Sequence, residues 1–406
     1  MKNKATKTRS LAAMIAVTIL GVLVYRIGSY VPLPGVALQV PFDGDFLQVA
    51  SMLSGMNLSQ AAFFGLGVTP YIMAQIIMQA LQTVVPPIKR VARDGVAGRN
   101  KVTQWTRLLT VPFAIVAAAL YLLTANVTVG GIDPIVLKVL DGIILVAGSL
   151  VLMRIGEIID EHGLGQGMSV IITASILSQL PAVMMSVIAA DDTKVQVAVA
   201  AVMFIVMAPI VVWMERTTRR IPLVRAAQRT SDRVDSYLPI RLVVAGVVPV
   251  IFASALRSLP TLVLGFIPTN DLTLYLNVYS FMNGWPGLVI EAAFILLFAF
   301  AYTAVAFDCD QIAENLAKSG TYIANADVAP GKPTARHIRD IVMHTTVPGS
   351  ILLMLVAMVP SVIALVTGNA LVTAIGGTSL IIVADTVMSV VDQARAERLV
   401  TQDANA

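Results

Sequence analysis

The residues of this chain best placed to do chemistry are acids set in apolar stretches: Asp141, Glu157, Glu291 and Asp385. An ion-coupled transporter keeps such groups near the bilayer midplane to bind and release its ion, and an intramembrane protease pairs two aspartates. Here the acids, and Arg26, fall toward the ends of their stretches with no shared spacing. Asp385, in GGTSLIIVADTVMSVVDQ, is the transporter-like candidate, expected near one end of the last span.

Enzyme signatures are missing. DEHGLGQG departs from the zinc-binding H-E-x-x-H pattern, and His162, His337 and His344 are expected in or beside loops rather than on one helix face. The glycines of that run follow an apolar helix instead of a strand, which predicts a tight turn rather than a phosphate loop. No serine has a neighbouring base, and the single Cys309 excludes an internal disulfide and gives no metal cluster. The expectation is a protein with no catalytic residues, no metal and no cofactor.

The elements holding these residues are set by composition. Of 406 residues 57% are hydrophobic and 13% charged, with a mean hydropathy of +0.82, so the chain belongs in a membrane. A bilayer core of about 30 Å takes about 20 apolar residues per helix. Windows of that kind predict ten spans, at 11–31, 62–83, 105–125, 135–157, 167–190, 195–214, 242–264, 287–307, 342–366 and 371–392. The runs are apolar on every face, which predicts helices rather than barrel strands. MKNKATKTRS ahead of LAAMIAVTILGVLVY has the layout of a secretory signal, but the run is too long and lacks a small-x-small site, so it reads as the first span.

Ten spans with both termini cytoplasmic put 24 of the 28 Lys and Arg on the cytoplasmic side. The exceptions are Arg26, Lys138, Lys194 and Arg257. The basic face could meet anionic lipid, an acidic protein surface or ribosomal RNA.

Two segments share G-V-x-P-x-I-x-A: GLGVTPYIMAQ from Gly65 and AGVVPVIFASA from Ala245. They fall in the second and seventh spans, the second of each successive five, so the repeat is inverted about an axis in the membrane plane. Proline removes a donor and glycine permits close approach, so both helices are expected to be broken where they border a cavity. Val68 and Ile72 would face it from one side, Val248 and Ile251 from the other; ordinary helix packing is the alternative.

YRIGSYVPLPG, GLGVTPYIMAQIIMQ, GRNKVTQWTR, GEIIDEHGLGQGMSVII, AGVVPVIFASAL, AENLAKSG and GGTSLIIVADTVM, in this order, make the chain resemble the SecY family, the channel subunit of the bacterial Sec protein translocon. The resemblance implies an all-α fold of ten transmembrane helices in two inverted five-helix halves, 1–190 and 191–406, closing as a clamshell around an hourglass pore. It implies an apolar pore ring of Val68, Ile72, Ile172, Ile176, Ile251 and Ile382, with Val248 adjacent. Such a ring makes no sequence-specific hydrogen bonds and resists ions by dewetting. Residues 45–60 resemble the re-entrant plug helix, with Phe46, Leu47, Val49, Met52, Leu53 and Met56 as its apolar residues. The second and seventh spans would be the lateral gate, with Pro70, Gln79, Val243 and Pro249.

The loops at 215–240 and 308–340 would dock a SecA-type motor ATPase or a ribosome through Arg219, Arg220, Arg225, Arg229, Arg233, Lys332 and Arg336. SecE-like and SecG-like small subunits, unfolded secretory proteins and anionic lipids complete the implied partners. The chain departs from the family pattern in three places. Its first basic loop is a few residues shorter, Ala329-Pro330-Gly331 stands where R-P-G is usual, and Val243 replaces an asparagine that clusters with the residue matching Gln79. These departures point to an accessory, second-copy system exporting selected cell-surface proteins. The alternatives are the housekeeping general pathway and, from other classes, an inverted-repeat secondary transporter or an intramembrane protease.

Overall fold

The computed structural model describes residues 11–34, 62–124, 133–189, 194–225, 236–244, 246–264, 278, 280–282, 284–324, 329, 331–367 and 377–405. Residues 45–60, expected as the plug, lie outside them, as do Arg229 and Arg233. Ten long helices coincide in position with the ten expected spans. They are α1 (Leu11–Gly28), α2 (Thr69–Val84), α4 (Gly95–Thr124), α5 (Pro134–His162), α6 (Gly167–Ala189), α7 (Lys194–Arg216), α8 (Val248–Leu264), α9 (Trp285–Ala306), α11 (Lys332–Thr367) and α12 (Gly377–Asn405). Short helices α3 (Pro86–Arg93) and α10 (Cys309–Lys318) extend from α2 and α9. By length and apolar composition alone, five helical stretches among the described residues can cross a membrane, and six if α2 and α3, bent by 106° to each other, count as one broken span.

The apolar side chains form two populations. Leu145, Leu152, Ile295, Leu353 and Ile381 are fully buried, while Leu108, Ile135, Ile143, Ile205 and Val289 stand more than half exposed along their helices. An outward row of large aliphatics is costly against water and favourable against lipid tails.

Packing repeats between the first five long helices and the last five. The second touches the third, the third the fourth and the fourth the fifth, and the first leans on the fourth and fifth, in both groups. The two groups meet along two seams. At one, α12 packs on α6 and α1; at the other, α2 packs on α8 and α9.

The proline-bearing helices begin later than expected. Residues 62–68 and 242–247 precede α2 and α8 instead of forming their first turns, so Val243 lies in a turn ahead of the seventh helix, not within it. The cause is glycine: Gly67 and Gly246 have φ of +56° and +58°, a left-handed conformation that ends any preceding helical path. Pro70 and Pro249 are the second residues of their helices, where the missing N–H has no intrahelical acceptor. The prolines therefore start these helices; they do not break them midway.

A small sheet, absent from the sequence expectations, joins the two basic loops. β1 (Thr218–Arg225) pairs antiparallel with β2 (Ser236–Arg241) on one edge and β3 (Thr321–Ile323) on the other. RRIPLVR and SYLPIR alternate, sending Ile221 and Ile240 inward onto Cys309, Ile338 and Val342 of α10 and α11, with Leu223 buried on the same face of β1 as Ile221. On the outer face the Arg220 guanidinium lies 4.7 Å from the Tyr237 ring centroid.

Candidate functional site: an apolar constriction between two helix groups

One contiguous apolar cluster occupies the centre of the bundle. Val68, Ile72, Ile172, Ile176 and Ile382 are buried in it, and Val248 and Ile251 pack against it half-buried. Four elements supply these residues: the start of α2, the first turns of α6, the start of α8 and the first turns of α12. Val243 joins the same cluster at 4% exposure. Pro70 and Pro249 are buried beside it.

A cavity of about 1000 Å³ lies between the two helix groups. Gln75, Gln79 and Gln82 line it from one face of α2, and Lys89, Asp308 and Arg339 from α3, the α9–α10 junction and α11. Spacings of four and three residues put the three amides in one row. The space is thus lined by amides and by charges of both signs, with Val102, Phe307, Ile312 and Val342 as apolar neighbours.

The two seams differ in chemistry. Between α6 and α12 the Thr173 and Thr386 hydroxyls are hydrogen-bonded at 2.9 Å, and Thr386 also reaches the Ser169 carbonyl oxygen at 3.4 Å. At the end of that seam, the Gly165 amide donates to Gln393 Oε1 at 2.6 Å. The DEHGLGQG run is a turn closed by the Gly167 amide donating to Asp160 Oδ1 at 2.6 Å.

The acids have partners that sequence spacing could not name. Glu157 is held by Arg107 and, at 2.7 Å, by Arg154; Glu291 is held by Arg257 and accepts from the Ser254 hydroxyl at 3.1 Å. Arg107 and Arg257 reach their acids from neighbouring helices and Arg154 from within α5, so both acids are satisfied side chains rather than a relay. Asp141 is fully buried, and neither of its carboxylate oxygens has a hydrogen-bond partner among the described residues. Asp385 neighbours Glu215, in the last turn of α7 beyond the span. Burial, then the nearby Asp385 charge, pushes the Glu215 carboxyl up to about 7, with Arg241 opposing. His337 and His344, expected in or beside loops rather than on one helix face, both lie within α11, and His162 is the last residue of α5. They come with no cluster that could hold a metal among the described residues.

Of the docking residues, Arg219 and Arg220 stand exposed on β1, and Lys332 and Arg336 stand exposed in the first turns of α11. Arg225 closes β1.

Two repeating five-helix groups with apolar outer faces, an apolar cluster drawn from both and one small sheet make the architecture of a polytopic membrane protein. A family model described as SecY matches residues 62–391. The chain is 34% identical to protein translocase subunit SecY 2 of Lactobacillus kefiranofaciens over 93% of its own length and 95% of the relative's. It is 31% identical to protein translocase subunit SecY of Streptomyces coelicolor, over 96% and 95%. Its fold matches a solved SecY structure concerned with the plug domain at a TM-score of 0.72 and 16% identity, covering 96% of this chain and 92% of that one. It matches Sec61 in the canine ribosome-channel complex at a TM-score of 0.65 and 18% identity, covering 96% and 93%. The chain belongs to the SecY family of protein-translocation channel subunits.

Proposed function

We propose that this chain forms the pore of a channel that passes unfolded secretory polypeptides across the bacterial cytoplasmic membrane and releases apolar segments sideways between α2 and α8. The observation that carries this reading is the membership of Val68, Ile72, Ile172, Ile176, Ile251 and Ile382, from four separated elements, in one apolar cluster, together with a polar cavity between the same two helix groups. Non-directional aliphatic contacts part around any sequence and close again, and when closed they exclude ions by refusing water. Halves 1–190 and 191–406 would open as two leaves, with residues 45–60 as the plug. The amide row of α2 offers donors and acceptors to an extended backbone before it meets the constriction.

In this reading the basic face is cytoplasmic and both termini lie there. A SecA-type motor or a ribosome docks on the sheet and the head of α11, and SecE-like and SecG-like subunits brace the bundle. Val243 and Ala329, standing where the general pathway carries asparagine and arginine, favour an accessory system with its own motor. The similarity to a second-copy translocase subunit is in keeping with that.

Cysteines at Ile72, Ile172 and Ile382, tested singly in membranes with a stalled secretory chain bearing one cysteine, should each form a disulfide with that chain. Absence of crosslinks at all three, with saturable solute uptake sensitive to Asp385, would instead identify a transporter. Copurification from native membranes with mass spectrometry distinguishes an accessory from a general motor.

A further inference from the structure

The approaches to α2 and α8 match closely. Before α2, Ala62 bridges Pro32 and the Phe63 amide donates to the Val31 carbonyl at 2.8 Å. Before α8, Arg241 pairs with Thr218 and the Leu242 amide donates to the Thr217 carbonyl, also at 2.8 Å. Next, Gly67 donates to Phe64 and Gly246 to Val243 across the left-handed corners. A third feature recurs: a Cβ added at Gly148 on α5 would run into the Phe63 carbonyl oxygen, and one added at Gly349 on α11 would run into the Leu242 carbonyl oxygen. From those same points the nearest atoms of the following residue, Phe64 Cδ1 and Val243 N, are each at 3.5 Å. In each group the fourth helix thus presents a bare backbone hydrogen to the peptide from which the second helix is hung, a close approach open only to glycine.

The two attachments differ in what lies behind them. The strand before α8 is an arm of the basic-face sheet, and the one before α2 belongs to the bridge on the opposite face. We infer that Gly148 and Gly349 are positioning residues, each seating the backbone wedge that suspends one of the two facing helices. Through these wedges, force on the basic-face sheet moves α8 and force on the opposite-face bridge moves α2. Arg241, the last residue of β2, is tied to Asp392 of α12 at 3.3 Å, so the arm is anchored immediately before the wedge. The inference rests on the reading of α2 and α8 as the moving pair.

The test uses the full chain in lipid nanodiscs with Cys309→Ser and two spin-label pairs, Ala80 to Val151 for α2 against α5, and Leu256 to Leu355 for α8 against α11. Gly349→Ala is expected to shift the α8–α11 distance and leave α2–α5 unchanged; Gly148→Ala is expected to do the reverse. Leu242→Pro and Phe63→Pro, which delete the strand donor without touching the glycine, should reproduce the two shifts separately. They also carry the test where an alanine variant does not fold. An unmoved own pair in a cooperatively unfolding variant, or movement of both pairs by one substitution, overturns the inference. The distances are read without substrate, so failure of polypeptide crosslinking at the ring would reject the channel reading and leave this result standing.

Discussion

Gly67 and Gly246 adopt nearly the same left-handed conformation 179 residues apart, and each stands two residues ahead of the first residue of its helix. The Ile72 amide then bonds the Val68 carbonyl at 3.0 Å, and the Ile251 amide bonds the Val247 carbonyl at 3.2 Å. The inverted repeat is therefore held in backbone conformation as well as in helix order.

Gly246→Ala isolates the cost of that conformation, because only Asp385 Oδ1, at 3.8 Å, lies near the new Cβ. The expected loss is about 1 kcal/mol from backbone strain alone, and less for Gly246→Asn, which tolerates the left-handed region better. Thermal unfolding in detergent measures both.

The Arg257–Glu291 pair joins α8 to α9 with side-chain exposures of 20% and 6%. Arg257→Ala strands a buried carboxylate and should cost about 3 kcal/mol, whereas Arg257→Met with Glu291→Leu should be close to neutral. A double-mutant cycle on unfolding midpoints gives the coupling; equal costs for the single and double variants would show that packing, not charge, is what was lost.

Replacing Ile72 and Ile382 with Asn or Gly should raise resting ion conductance, since water can then bridge the constriction. Single-channel recording in planar bilayers measures the leak. An unchanged leak would move the narrowest point elsewhere in the cluster.

Glu215 sets a pH dependence of defined sign. Its folded pKa of about 7 lies above the ordinary value of 4.5, so between these values the folded state keeps a proton that the unfolded chain has released. Stability is then greatest below the lower value, falls as pH rises through the window, and is level above it, by up to about 3 kcal/mol in all. Glu215→Gln should flatten that slope in melting temperatures taken between about pH 5 and pH 8.

The ten helices were legible in the sequence because a membrane span is a local property, readable from about 20 consecutive residues, whereas Ile172, Ile176 and Ile382 were singled out only by the family resemblance. Three features were not. Helix starts at Thr69 and Val248 depend on the φ of one glycine, which hydropathy does not register. The ion pairs of Glu157 and Glu291 span 50 and 34 residues, and Arg107 looked like an ordinary topology signal while Arg257 stood only as an exception to that pattern. The strand pairing Leu223 to Ile323 crosses 100 residues, and the prolines within RRIPLVR and SYLPIR hid an alternation that is plain once Ile221 and Ile240 are seen facing the same apolar layer.

All three strands of the basic-face sheet come from one leaf, between Thr218 and Ile323. If the proposed motor grips only there, it would tow that leaf without prying it from its twin, any more than a hand on a single handle opens a nutcracker. On the proposed reading, opening would call for a second foothold on the other leaf, and the stub bent 106° from α2, with Lys89 and Arg90 exposed on it, would offer one.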